Sequence, residues 1–200
     1  MFMQNKTMME EIDGKNGRKV AIDLRKANLF AIVLFAISAV VFMVPYFLIW
    51  MGKGTEKSDG TGFFSTHQGL CLLIDFVVGI VVHELIHGLT WACYAKRGWK
   101  SISFGVIWKY LTPYCHCDEP MRIRPYQVAC LMPFVVLGVI PSVAGLVIGS
   151  LPLIIFGVLF IAAAAGDIWM AWLLTKENPR SMVLDHPSEA GFYVFDESTE

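Results

Sequence analysis

The chain has 200 residues, of which 56% are hydrophobic and 16% are charged, and its formal net charge is −1. A soluble globular domain averages about 25% charged residues. The deficit here is concentrated in apolar stretches of the length typical of transmembrane helices, about 18 residues or more. The five cysteines are an odd number and argue against a disulfide framework. There is no basic stripe with interleaved aromatics, so nucleic acid is not expected as a partner.

The first half of the chain contains two long apolar runs. A polar arm, residues 1–26, precedes the first run, residues 27–51, which is too long for the hydrophobic core of a cleavable signal peptide. Residues 52–68 are rich in Gly, Ser and Thr and are predicted to form a loop. The second run covers residues 69–95 and is apolar apart from one aspartate and the motif described below. Each run predicts one transmembrane helix.

The second half begins with a polar, basic segment, residues 96–125, whose β-branched and aromatic content predicts a small β-hairpin at the membrane surface. Residues 126–175 form about fifty residues with a single charge, Asp167. That length is right for two helices, and residues 149–152, Gly-Ser-Leu-Pro, are the best place for the break between them. Residues 176–200 are predicted to be a polar tail.

The predicted fold class is therefore an all-α membrane protein. About four transmembrane helices lie within residues 27–175, with a small cytoplasmic-side β-hairpin between the second and the third. Lys and Arg number six in the arm, two in the first loop, six in the hairpin segment, none in the last turn and two in the tail. Because cytoplasmic loops carry an excess of Lys and Arg, both termini and the hairpin are predicted to be cytoplasmic.

The second apolar run carries the motif His83-Glu84-Leu85-Ile86-His87. In a helix, His83 and His87 project from one face one turn apart, so both imidazoles can bind one tetrahedral metal ion. Glu84 lies between them in projection, where its carboxylate can act as general base on a metal-bound water. Ionisable residues are costly inside a membrane, so these need a reason. The alternative is a set of buried polar residues that bond to neighbouring helices.

A zinc site of this kind needs a third protein ligand. The ten residues that follow His87 contain no histidine, and Glu119 lies in the predicted cytoplasmic segment. Asp167 is the only ionisable residue of the third and fourth predicted helices. His87 and Asp167 each lie eight residues before the predicted end of their helices, which is roughly 12 Å from the same side at 1.5 Å per residue. Asp167 is therefore predicted as the third ligand, with a polar clamp between helices as the alternative.

Two weaker features remain open. Asp75 lies two turns before His83 and could orient a ligand imidazole, although a role in helix packing is the preferred interpretation. Cys115-His116-Cys117 could bind a metal, but one C-x-C with one histidine and no second cluster is a weak pattern. An ordinary hairpin end is the preferred interpretation there.

At this point the sequence resembles a known group. HELIHG on a membrane helix, a lone aspartate on a later helix and a polar hairpin between them are similar to the site-2 protease class of intramembrane zinc metalloproteases. More closely, HELIHG, the hairpin end YCHCDEPMRIRPY, the following LMPFVVLGVIP and the late Gly-Asp resemble a bacterial family of putative zincin peptidases of unknown function. The resemblance covers about residues 65–175.

The resemblance implies a membrane-embedded peptidase of the bacterial cell membrane, with lipids and a membrane-protein or peptide substrate as partners. His83 and His87 would bind Zn²⁺, Asp167 would be the third ligand, and Glu84 would be the catalytic base on the zinc-bound water. The hairpin would present an edge strand to an extended substrate. Site-2 proteases carry the third ligand in Asn-Pro-Asp-Gly or Leu-Asp-Gly, whereas this chain has Ala-Gly-Asp-Ile. The alternative function is a non-catalytic metal-binding membrane scaffold or sensor that retains the motif.

Overall fold

The computed structural model describes residues 17–50, 66–108, 112–186 and 191–196. The fold is mostly helical, with short strands near both ends of the chain and in the middle. In chain order the elements are β1 (Arg18–Ala21), α1 (Leu24–Trp50), α2 (Thr66–Tyr94), a 3-10 turn (Gly98–Ser101), β2 (Ile102–Ile107), β3 (Thr112–Cys117), β4 (Met121–Arg122), α3 (Ile123–Pro133), a π-helical segment (Phe134–Val139), α4 (Ile140–Ile148), α5 (Leu151–Ala163), α6 (Ala165–Leu174), β5 (Met182–Asp185) and β6 (Gly191–Phe195).

Three helical stretches among the described residues are long and apolar enough to cross a membrane, by length and composition alone. They are Arg25–Trp50, Gly69–Tyr94 and Ile123–Ile148, and the last runs through α3, the π-helical segment and α4. The expected break after the third helix is present, because α4 ends at Ile148 and α5 begins at Leu151. Gly149 makes this turn with a φ of 76°, which is favourable only for a residue without a Cβ.

The fourth predicted helix differs from the expectation of one continuous span. It is divided at Ala164 into α5 and α6, which are bent by 45° relative to each other. The break falls in a run of small residues, Ala162–Gly166, which offers little side-chain packing to keep the helix straight. As a result Asp167 lies in the first turn of a new helix, where the helix dipole favours a negative charge.

The predicted hairpin is confirmed. Strands β2 and β3 pair antiparallel over their whole length, from Ile102 opposite Cys117 to Ile107 opposite Thr112. A second sheet was not predicted, and it makes the all-α description too narrow. Its four strands lie in the order β1-β6-β5-β4, all antiparallel, so the predicted polar arm and polar tail pair with each other.

The chain divides into two compact units. The helical unit contains α1, the first half of α2, the π-helical segment, α4 and α5, and the sheet unit contains both sheets, the second half of α2, most of α3 and most of α6. Of the described residues, the helical unit comprises 25–50, 66–83 and 131–166. The sheet unit comprises 17–24, 84–108, 112–130, 167–186 and 191–196.

Within the helical unit, glycines allow helices to pack closely. A Cβ built on Gly157 of α5 would lie 2.2 Å from the Ser142 hydroxyl oxygen and 2.6 Å from the Gly138 carbonyl oxygen, so no side chain fits there. Such contacts between small residues are typical of helices that associate in a membrane. The indole of Trp50 donates a hydrogen bond of 2.9 Å to the Leu146 carbonyl and ties the end of α1 to α4.

Within the sheet unit, one carboxylate fastens the end of α2 to the base of the hairpin. Glu119 accepts hydrogen bonds from the Ser101 hydroxyl, the Arg97 guanidinium and the backbone N–H groups of Lys96 and Arg97. Desolvation raises the pKa of Glu119, but these donors outweigh it and lower the pKa to about 2. The second half of α2 is therefore fixed against the hairpin that follows it.

Candidate metal centre

The motif histidines lie on α2, in a stretch that contains no proline and is apolar on both sides. His83 and His87 are both buried. The residue after His87 is Gly88, and a Cβ there would lie within about 3 Å of hairpin side chains, 2.6 Å from Phe104 and 3.2 Å from the Cys115 sulfur. The glycine therefore lets the hairpin pack directly on α2 beside the second histidine.

The orientation of the His87 ring is fixed by a backbone carbonyl. Its Nδ1 lies 2.9 Å from the carbonyl oxygen of Ala129 on α3. Because a carbonyl can only accept, Nδ1 carries the proton and donates it. A neutral ring then has its lone pair on Nε2, which is the arrangement that metal-binding histidines show when their other nitrogen donates to a carbonyl.

Asp167 lies on the Nε2 side of the His87 ring. Its Oδ1 lies 3.4 Å from His87 Nε2, although the two residues are eighty positions apart in the sequence. Two ligand atoms bound to one tetrahedral zinc at about 2.1 Å lie about 3.4 Å from each other. A lone pair and a carboxylate oxygen that face each other in this way are stabilised by a cation that binds both. The proximity expected from the depth of the two residues is therefore observed.

His83 completes the group. One ligand atom each from His83, His87 and Asp167 lie within 4.8 Å of one another, and in the part of the chain that the structure describes this is the one such group that could hold a metal ion. Two imidazoles and one carboxylate match the protein ligands of catalytic zinc sites, in which water or substrate takes the fourth position. The donor set and its spacing therefore fit Zn²⁺.

Glu84 is half-buried and lies on α2 between the two histidines in sequence. Its charge acts on the hairpin: burial raises the pKa of the Cys115 thiol above its ordinary value, and the carboxylates of Glu84 and Asp185 raise it further. Glu84 is not a member of the candidate ligand group. Its assignment as catalytic base stays a prediction.

The other residues singled out in the sequence lie elsewhere. Cys115 and Cys117 alternate with His116 along β3, so the histidine points to the opposite side, where its Nδ1 lies 2.9 Å from Asp185. These three residues do not come together as a metal group in the described structure. Asp75 is exposed and lines a cavity of about 470 Å³ in the helical unit, outside the ligand group.

The site also contains groups that sequence reasoning missed. The Ala129 carbonyl that orients His87 has no sequence signature, because every residue carries one. Trp91, one turn after His87, stacks on its ring with a centroid distance of 5.4 Å. The four-residue spacing between the two could have indicated this contact, since such residues share a helix face.

Comparison with known proteins gives one match. A family model described as "Putative zincin peptidase" matches residues 76–182, which is more than half of the chain and includes His83, Glu84, His87 and Asp167. Neither the curated proteins nor the solved structures contain a significant match to the chain. The similarity to site-2 proteases inferred from the motif order therefore stays a prediction.

Proposed function

The chain belongs to this family of putative zincin peptidases, and from that premise we propose that it is a zinc-dependent peptidase that hydrolyses peptide bonds in or near a membrane. One observation carries the proposal. His87 Nε2, with its Nδ1 proton donated to Ala129, faces Asp167 at 3.4 Å, and His83 lies within 4.8 Å on the preceding turn of the same helix.

The residues divide the work of hydrolysis among them. Zinc bound by His83, His87 and Asp167 would supply a Lewis acid that polarises the peptide carbonyl and lowers the pKa of water. Glu84 would accept a proton from the attacking water and return it to the leaving amine, as a general base and then a general acid. The hairpin, which packs on α2 at Gly88, would pair with an extended substrate strand. This is the substrate mode expected of a site-2 protease-like enzyme.

We place the protein in a bacterial cell membrane, with both termini in the cytoplasm. The four-stranded sheet supports the placement of both termini on one side of the membrane. In it β1, near the N-terminus, pairs with β6, near the C-terminus, and β4 follows the hairpin. Hydrogen-bonded strands with open edges are not tolerated in the hydrocarbon region, so these segments belong on one side. The excess of Lys and Arg in the arm and the hairpin segment supports the cytoplasm as that side.

The test of the proposal is Glu84→Gln, which removes the base and keeps the size of the side chain. We expect this variant to retain zinc and to lose hydrolysis by about 10²- to 10⁴-fold, the range that general acid–base catalysis contributes. The readout is the set of new protein N-termini in membranes of cells that express wild type or variant, measured by mass spectrometry. Asp75→Asn is the matched control, because Asp75 is an exposed carboxylate on the same helix.

The same experiment separates the enzyme from the alternative, a non-catalytic metal-binding scaffold or sensor. If wild type and Glu84→Gln give the same N-termini while the zinc content is unchanged, the protein binds metal without hydrolysing peptides, and the peptidase proposal is wrong.

A further inference from the structure

Helix α3 contacts both helices that carry candidate ligands. Its Ala129 carbonyl accepts the hydrogen bond from His87 on α2. Two residues earlier, the side-chain amide of Gln127 donates a hydrogen bond of 2.9 Å to the carbonyl of Ala171 on α6, four residues after Asp167. A shift of α3 would therefore move both the carbonyl that bonds to His87 and the amide that bonds to α6, the helix of Asp167.

A carboxylate from the tail holds α3 in place. Asp185, the last residue of β5, accepts a hydrogen bond of 2.8 Å from the Tyr126 hydroxyl at one oxygen and lies 2.9 Å from His116 Nδ1 at the other. Tyr126 and Ala129 are almost completely buried and lie three residues apart, on one face of α3. Both oxygens of Asp185 are thus used, one by α3 and one by the hairpin.

Aromatic rings make a second connection between the same regions. The Trp91 ring stacks on His87 and lies 5.5 Å, centroid to centroid, from the ring of Tyr126. Tyr126 in turn lies 6.2 Å from Phe192 of β6. Packed aromatic side chains, as well as hydrogen bonds, therefore connect the four-stranded sheet to the His87 ring. Tyr126 takes part in both sets of contacts.

We propose that Asp185 is a positioning residue for the metal centre: it fixes Tyr126 and His116 so that α3 presents the Ala129 carbonyl to His87. Asp185 lies beyond residue 182, where the match to the family ends, so the tail of this chain supplies a part of the site that the family match does not include. The inference rests on the proposed zinc site and adds the residues that set its geometry. Groups that orient metal-binding histidines commonly change metal affinity by 10- to 100-fold when they are removed.

The experiment measures zinc affinity of the full chain in detergent, by competition with a chelator, for wild type, Asp185→Asn, Tyr126→Phe and the double variant. We expect each single variant to bind zinc about tenfold more weakly. The double variant should be no weaker than the weaker single variant, because the two residues act through one hydrogen bond. The visible spectrum of bound Co²⁺ should shift in both, since it reports the geometry of the ligands.

Asp196→Asn is the matched control, since Asp196 is an exposed tail carboxylate that accepts one hydrogen bond, from Ser181. It should bind zinc within about twofold of wild type. Wild-type zinc affinity and an unchanged Co²⁺ spectrum in Tyr126→Phe would overturn the inference, even if Asp185→Asn fails to fold. Wild-type protein that binds no zinc would instead overturn the proposed function on which the inference rests.

Discussion

The helices of the helical unit pack closely at glycines, whereas the sheet unit is held by carboxylates that each bond to two or more polar groups. In the helical unit, Gly157 leaves no space for a Cβ, and Ser142 satisfies its hydroxyl within its own helix through a bond of 2.8 Å to the Gly138 carbonyl. In the sheet unit, Glu119 and Asp185 collect donors from segments far apart in the sequence. Packing at glycines requires only that helices approach closely, whereas a carboxylate requires hydrogen-bond donors at particular positions.

This difference bears on where a metal centre can be accommodated. A buried polar group without a partner is costly, so a site for a charged ion needs surroundings that satisfy every donor and acceptor. The sheet unit supplies such a partner to His87, the Ala129 carbonyl, and its Gln127 amide bonds to the Ala171 carbonyl of the helix that carries Asp167. The helical unit supplies steric fit and an aromatic neighbour for His83, the ring of Phe160 at 6.4 Å.

The largest effect on stability is expected from breaking the close packing of the helical unit. In Gly157→Ala the new methyl group would meet backbone atoms, the Gly138 carbonyl oxygen and the Ser142 nitrogen, which cannot rotate away. We expect a loss of about 3 kcal/mol in the free energy of unfolding, because overpacking forces the backbone to shift. Heat- and SDS-induced unfolding in micelles measures this.

Gly166→Ala is its control, since a Cβ at Gly166 has no neighbour within 4 Å. This substitution should change the free energy of unfolding by less than about 1 kcal/mol, in the stabilising direction if helix propensity decides. Equal losses in the two variants would mean that close packing at Gly157 does not hold the helical unit together.

A smaller, pH-dependent effect is expected in the sheet unit. The pKa of Glu119 falls from 4.5 to about 2 in the folded protein, so the ionised form stabilises the fold. This contribution is fully present above the unfolded pKa and is lost as the pH falls from about 4.5 toward 2. Glu119→Gln should lower the free energy of unfolding by about 1–2 kcal/mol at pH 7, and the gap to wild type should close near pH 2.

Unfolding midpoints at pH 7 and pH 2.5 measure that gap. Asp118→Asn provides the comparison, because Asp118 is more exposed and its carboxylate accepts a hydrogen bond from the Arg97 guanidinium alone among the described residues, so its effect should be smaller at both pH values. A gap between Glu119→Gln and wild type that is the same at both pH values would contradict the stabilising role of ionised Glu119.

Much of the helical unit could be predicted from the sequence, because length and hydropathy determine which segments can cross a membrane. The histidine spacing and the predicted depths of His87 and Asp167 were also sufficient to predict the candidate ligand group that the structure brings together. The helices and the candidate ligand group could be predicted because they depend on local periodicity and on the number of residues from His87 and Asp167 to their helix ends.

The four-stranded sheet could not be predicted in the same way, because β1 and β6 pair across almost the whole chain. One local signal was present: the segment Gly191–Phe195, GFYVF, has the aromatic and β-branched content of a strand. The hydrogen bonds of Ala129 and Asp185 depend on tertiary packing and leave no mark in the composition of the neighbouring residues. The sequence therefore indicated the candidate ligands but not the groups that contact them.

The most direct test of the central claim is the metal content of purified wild type, His87→Ala, Asp167→Ala and Asp75→Asn, by elemental analysis. We predict about one zinc per chain in wild type and in Asp75→Asn, whose carboxylate is exposed outside the ligand group, and loss of zinc in the other two variants. Wild-type protein without metal, or zinc retained in Asp167→Ala, would contradict a centre formed by His83, His87 and Asp167.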